Sequence, residues 1–272
     1  MNRLLEVVTL AEIFLGTQSL GSRSWIGRFY PPNLKPNAFL QFYSQVFNAV
    51  EINATFYGIP RASTVDTWAR VTPDDFVFTA KMPKEITHGH RLTNSLRALY
   101  EFLGVMSHLG DKLGPILIQL PPTVHSGYRK PLEEFLAGLP PDQKFALEFR
   151  DDSWIREDTF QLLRHHRIAW CIADVDLMPA VPEITTDFIY IRWIGHRSVR
   201  ARRQEGKANR TGDLKLWANT IRELIGEVGR IYGYFNDDYS GHSPSDVNHL
   251  KELLSIGKVE PSSLWPPQLR MA

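Results

Sequence analysis

Eight short apolar runs recur along the chain, and nearly every one ends in polar or charged residues. They occupy residues 13–18, 49–56, 76–82, 115–120, 144–150, 168–174, 188–193 and 231–236, lengths that suit strands buried on both faces. Helical patterns lie between most of them. Phe39, Leu40, Tyr43, Val46 and Phe47 recur at helical spacing after Pro36, and Leu96, Leu99, Leu103 and Met106 do so after the third run. This alternation predicts an α/β fold: a single TIM-like (β/α)8 barrel, whose working face is the ring of strand C-terminal ends. The place of a site follows from the pattern, whereas its reaction does not.

Local signals refine the helices. Ser63 with Asp66 predicts a capping box, and Ser243-Pro244-Ser245-Asp246 predicts an N-cap, an N1 proline and an acidic third position. Residues 175–187 carry prolines without a helical period and predict an irregular connection. At 272 residues, one barrel over 1–260 followed by a proline-containing tail over 261–272 accounts for the chain. The tail is expected either to stay loose or to strap the barrel.

A net charge of +1 provides no global field for nucleic acid or membrane, so any such preference must be local. The single cysteine, Cys171, lies inside an apolar run, which excludes a disulfide scaffold and predicts a small core residue. Residues 1–15 include Glu6 and Glu12, and no stretch approaches the ~18 apolar residues of a bilayer span, so a cytoplasmic protein is expected, without a membrane partner. Oligomeric state is left open.

Alternate residues of a barrel strand point inward. If Val50, Ile52 and Ala54 face helices, Glu51, Asn53 and Thr55 face the lumen. The same choice places Thr79 and Lys81, Gln119, Glu148 and Arg150, Asp174, Tyr190 and Arg192, and Tyr234 and Asn236 inside. A polar mouth over an apolar base is therefore predicted. Lys81, Arg150 and Arg192 either neutralise Glu51, Glu148 and Asp174 in a structural network or join them in a cage for a polar ligand, and the barrel's working face favours the cage.

The candidate chemistry follows. Glu51, Glu148 and Asp174 offer a general acid and base, or hard oxygen ligands for a divalent metal. His88, His196 and His242 each follow a strand and are the histidines able to join such a metal, while His88-Gly89-His90 mimics a ligand pair that reads equally as a polar loop. Lys81 forms a Schiff base only if desolvated, and opposite charges nearby favour a protonated clamp. After the seventh run come His196, Arg197, Arg200, Arg202, Arg203, Lys207 and Arg210. This basic stretch is either a solvated loop or a phosphate site, and with Trp193 and Tyr239 it offers a nucleic-acid surface.

The blocks Val50-Glu51-Ile52-Asn53-Ala54-Thr55-Phe56-Tyr57, Lys81-Met82-Pro83 with Ile86-Thr87-His88, and Gln119-Leu120-Pro121-Pro122 resemble the YecE-like family (DUF72). So do Ala146-Leu147-Glu148-Phe149-Arg150, Tyr190-Ile191-Arg192-Trp193, and Tyr234-Phe235-Asn236 with Gly241-His242. The resemblance implies a single-domain TIM barrel and carries no catalytic assignment. Asp237 and Asp238 stand where the family commonly has a second Asn and often a His, and Gly16-Thr17-Gln18-Ser19 replaces its usual Gly-Thr-Ser.

Two functions are expected to compete. One is a hydrolase or isomerase acting on an anionic, phosphate-bearing small molecule or nucleotide. In it Glu148, Glu51 and Lys81 are the catalytic candidates, and Asn53, Gln119, Arg150, Asp174, Arg192, Asn236 and His242 bind substrate. Redox chemistry is disfavoured, because no Gly-rich NAD or FAD fingerprint follows the first run. The other is a non-catalytic protein that binds nucleic acid or a partner through residues 197–210.

Overall fold

A computed structural model describes residues 11–176, 178–195 and 210–269. In it eight parallel strands form the predicted barrel: β1 (Glu12–Thr17), β2 (Ala49–Ile52), β3 (Val77–Lys81), β4 (Leu113–Gln119), β5 (Phe145–Glu148), β6 (Ala169–Val175), β7 (Phe188–Gly195) and β8 (Arg230–Phe235). Backbone pairing runs in the order β1-β8-β7-β6-β5-β4-β3-β2. Outside lie α1 (Phe39–Tyr43), α2 (Ala62–Val71), α3 (Leu96–Met106), α4 (Arg129–Ala137), α5 (Glu157–His166), α6 (Thr211–Leu224) and α7 (Ser243–Leu253). Between β6 and β7 the described residues form no helix, and no described helix is long and apolar enough to cross a membrane.

The lower lumen is filled unevenly. Phe188, Tyr190, Tyr232 and Tyr234 from β7 and β8 project large rings across the barrel, and Leu117, Ala146 and Ala169 from β4, β5 and β6 complete the same buried cluster. Phe14 stacks on Tyr232 with ring centroids 5.2 Å apart and closes the base. Large against small gives a packed core rather than a pore, and the polar inward-facing side chains of the strands lie above it, towards their C-terminal ends. Cys171 belongs to this core as a free, buried thiol.

Several ends differ from expectation. The second strand stops at Ile52 instead of 56, because Asn53 adopts helical backbone angles and Ala54–Phe56 makes a 3-10 turn. The Thr55 hydroxyl pins that turn, lying 2.7 Å from the carbonyl oxygens of both Ile52 and Lys81, with its one proton shared between them. The capping box at Ser63 does not form: Ser63 lies within α2, whose N-cap is Arg61. α7 begins at Ser243, one residue before the predicted first position, so its cap is His242 rather than Ser243, and the His242 Nδ1 accepts from the Ser245 amide. Asp246 is instead buried, bonded at 2.7 Å by the Ser240 hydroxyl, and burial pushes its carboxyl up to about 7. In the tail, the Trp265 indole donates to the Phe29 carbonyl at 3.1 Å.

One seam closes the ring by side chains. Among the described residues β1 and β2, the two ends of the pairing order, share no backbone ladder. Asn48 stands in for it: its Oδ1 accepts from the Leu15 amide at 3.1 Å and its Nδ2 donates to the Ile13 carbonyl at 2.9 Å. Above it, the Tyr43 hydroxyl donates to the Ala49 carbonyl at 3.0 Å and accepts from the Thr17 amide at 2.8 Å. Gly16 permits this approach, since a Cβ there would sit 1.9 Å from the Ala49 carbonyl oxygen. Asn48→Ala strands one donor and one acceptor, and because both bonds are only part-buried the lower part of the ~1–3 kcal/mol range for each unsatisfied group applies, an expected cost of about 2–4 kcal/mol in chemical denaturation. Asn48→Asp keeps the acceptor and should lose less. Equal stability of wild type and Asn48→Ala would show that the seam is held by something else.

Candidate functional site

The polar mouth is built around Arg192, on β7 and 3% exposed. Its guanidinium grips Glu51 of β2 bidentately, with Nε to Oε2 at 2.9 Å and the terminal nitrogen to Oε1 at 2.8 Å. Its other terminal nitrogen donates to Oε2 of Glu148, on β5. Both carboxylates are fully buried. The Tyr190 hydroxyl donates to Glu51 at 2.8 Å, while Gln119 donates to Glu148 Oε1 at 2.8 Å and Arg150 donates to the same oxygen. Every carboxylate oxygen of the pair is thus engaged.

A second layer faces outward. The Gln119 amide gives its NH2 to Glu148, which leaves its oxygen for Lys81 Nζ, 2.6 Å away at the end of β3. Lys81 Nζ also sits 4.0 Å over the Phe56 ring, and the His88 ring packs edge-on against that ring at 5.0 Å. Asn53 donates to the Gln18 carbonyl at 2.8 Å, and its buried Oδ1 has no protein partner among the described residues. Asn236 donates to Gln18 Oε1 at 3.0 Å. Lys81, Arg150, Asn53, Asn236 and His88 are part-exposed, so the rim is cationic and amide-rich above a neutralised floor.

Electrostatics separates the two layers. Burial alone would raise Glu148, but Arg192 and Arg150 hold its carboxyl down to about 2. So weak a base takes up a proton poorly near neutrality. Lys81 is pushed down to about 8, by burial first and then by Arg192, against the opposing pull of Glu148 and Glu51. Those two carboxylates are spent on guanidinium groups, so Lys81 lacks the direct ion pair that opposite charges nearby would give it among the described residues, though an amine titrating near 8 still carries its proton for the most part at pH 7. His88 is lowered by burial, Lys81 and Arg150. Burial and Glu148 push the Cys171 thiol up, and its sulfur lies 4.0 Å from Glu148 Oε2.

Of the sequence-predicted residues, Glu51, Lys81, Glu148, Gln119, Arg150, Arg192, Asn53 and Asn236 meet in one network. Asp174 does not. Cys171 faces Glu148 inside the lumen, so strand alternation turns Asp174, three residues on, outward, where it accepts from Arg210 at 2.9 Å and from the Trp217 indole at 3.1 Å. His242 is likewise outside the lumen, as the cap of α7 stacked edge-on against Trp25, and burial pushes it down to about 4. Gln18 was missed: 3% exposed, it accepts from Arg192 at 3.2 Å and from Asn236. Its strand parity with Phe14 carried the signal.

The remaining expectations fare unevenly. His88 bonds Thr87 and His90 lies beside Glu85, so the two do not converge as a ligand pair. Among the described residues no three His, Cys, Asp or Glu groups are disposed to hold a metal ion, and the oxygens of Glu51 and Glu148 already serve cations. His196, Arg197, Arg200, Arg202, Arg203 and Lys207 lie outside the described residues. Arg210 is bound to Asp174 and Asp213 and lies 4.1 Å over Tyr239. Trp193 and Tyr239 are fully buried, which removes them as stacking surfaces for an unpaired base. A separate cavity of about 500 Å³, lined by Asp74, Asp111, Asp142, Lys144 and Arg230, opens at the opposite end, where barrels do not place their active sites.

A family model described as Protein of unknown function DUF72 matches residues 14–269. Over 111 residues the chain is 36% identical to the UPF0759 protein YecE of Escherichia coli K12, a match that spans only 41% of this chain and 41% of that relative. It is 25% identical to the UPF0759 protein YunF of Bacillus subtilis, across 94% of this chain and 99% of that one. A solved DUF72 family protein of Thermotoga maritima superposes with a TM-score of 0.77 at 29% identity, covering 89% of this chain and 99% of that one. Another, from Enterococcus faecalis, shares the fold at a TM-score of 0.76 and 19% identity, over 91% and 97% of the two chains. The family match takes in the whole network from Gln18 to Asn236, and the chain belongs to the DUF72 family.

Proposed function

We propose that the protein is an enzyme of hydrolase or isomerase type acting on an anionic, phosphate-bearing small molecule at the barrel mouth. One observation carries this reading: two buried carboxylates face three cations, and the cations left nearest solvent are Lys81 and Arg150. A guanidinium and an amine held over a low-dielectric floor suit a phosphate better than a neutral ligand. Asn53 Oδ1 and the Asn236 amide would orient polar groups of the ligand. Arg192, Glu51 and Glu148 serve as positioning residues in this reading, and Lys81 and His88 as the groups that move protons. A cytoplasmic setting belongs to the same reading.

Anion binding is tested by thermal shift with inorganic phosphate, sugar phosphates, nucleotides and the matching neutral sugars. A phosphate-bearing ligand at a hundred times its Kd adds about 2.7 kcal/mol, or roughly 5–10 °C in Tm for a chain of this size. Arg150→Ala should abolish most of that shift. Stabilisation by neutral sugars but by no phosphate compound would refute the anion site.

The floor makes a separate prediction. Glu148 titrates at about 2 when folded, below the ~4.3 of an unfolded glutamate. Its contribution, on the order of 3 kcal/mol, is therefore complete above about pH 4.3 and is lost as pH falls towards 2. Glu148→Gln should lower stability at pH 7 by about 3–5 kcal/mol by breaking a buried charge pair. It should also flatten the stability curve between about pH 4.5 and 2. Urea titrations across that range read both effects, and an unchanged variant would mean that Glu148 is not held as described.

A further inference from the structure

We infer that Lys81 is a nucleophilic amine that forms an imine with an aldehyde or ketone carried by an anionic ligand at the mouth. The inference rests on the anion-site reading above and adds the class of ligand, an anionic carbonyl compound.

The geometry separates this lysine from an ordinary ion-pairing one. Among the described residues no carboxylate lies within ion-pair distance of Lys81 Nζ. The two carboxylates that could have served it are fully buried and occupied by Arg192 and Arg150. Its hydrogen-bond partner is the neutral Gln119 oxygen, which is held in that orientation because the Gln119 NH2 is committed to Glu148. The amine lies 4.0 Å over the Phe56 ring, which shields it from water on that side while offering the ammonium only a cation–π contact in place of a carboxylate. A lysine that is desolvated, flanked by guanidinium groups and left without a counter-ion is destabilised in its ammonium form, and the neutral amine is the nucleophile. The depressed titration near 8 agrees with that geometry. Lys84, three residues on, is exposed and lies 5.8 Å from the Tyr57 ring, with no comparable surroundings.

In the step proposed, the amine lone pair adds to the carbonyl carbon, and the carbonyl π pair moves to oxygen, which gains a proton. The nitrogen loses its proton to give a neutral carbinolamine. Loss of water then leaves the C=N bond, so no oxidant or reductant is needed. His88, part-exposed and packed on the same Phe56 ring, is the side chain placed to carry protons between nitrogen and oxygen. Arg150 would hold the ligand's anionic group.

Pyridoxal 5′-phosphate, an aldehyde bearing a phosphate, is the probe. The wild-type chain is incubated with limiting probe at pH 7, reduced with borohydride and digested, and modified lysines are quantified by mass spectrometry. At pH 7 an amine titrating near 8 is about one-tenth neutral, against roughly one part in two thousand for an ordinary lysine, and its lower basicity takes part of that advantage back. Lys81 should therefore label at least about tenfold faster than Lys84. Inorganic phosphate should slow labelling at Lys81 but not at Lys84, and Lys81→Met should remove the fast phase while surface labelling persists. Labelling of Lys81 no faster than Lys84 overturns the imine inference. If phosphate still raises the Tm in that case, the anion site stands without it; if phosphate neither protects Lys81 nor shifts the Tm, both readings fall together.

Discussion

Arg192 is the hub on which the mouth of this barrel depends. It brings one guanidinium between carboxylates contributed by strands on different sides of the ring, and no member of the trio has meaningful contact with solvent. Taking three charges out of water is expensive, and their mutual attraction offsets that cost only where geometry and extra hydrogen bonds are good. Here Tyr190, Gln119, Gln18 and Arg150 supply those bonds. The arrangement is a poor device for stability alone, since an apolar filling like that of the lower lumen would cost less to bury. It does hold side chains from β2, β4, β5 and β7 in one fixed constellation.

That constellation sets the properties of the groups above it. Because Glu148 is committed to two arginines and Gln119, it orients the amide that receives Lys81 without neutralising the lysine itself. The floor is therefore electrostatically closed and the rim electrostatically open. A cation with no counter-ion among the described residues, a part-exposed guanidinium and an imidazole packed on the same Phe56 ring as the amine make a site that asks for an anion. The seam between β1 and β2 matters to the same end: Gln18 and Asn53 meet directly above it, joined by a hydrogen bond of 2.8 Å.

Much of this was legible in the chain. Period-two alternation with a polar end on each run placed Glu51, Lys81, Gln119, Glu148, Arg150 and Arg192 at one face, because burial of both strand faces leaves few ways to set the phase. The same rule failed at Asp174, where a run of wholly buried residues carries no alternation to read, and both faces accept a polar group that finds a partner. It failed at His242 for another reason: a residue beyond the strand end follows loop geometry, and its nitrogen was captured by the next helix. The capping box at Ser63 was a local signal overridden when the chain entered the helix two residues earlier.

The sequence by itself determined the barrel, the direction of its strands and the identity of most side chains at its mouth, since these follow from hydrophobic periodicity, which is a property of neighbours along the chain. Only the tertiary structure decided which cation pairs with which carboxylate, and so which groups remain available for chemistry. Glu148 and Lys81 are both ionisable strand-end residues in the sequence. Their opposite fates, one committed to arginines and the other with no counter-ion among the described residues, come from partners far away in the chain that only folding brings within hydrogen-bonding distance.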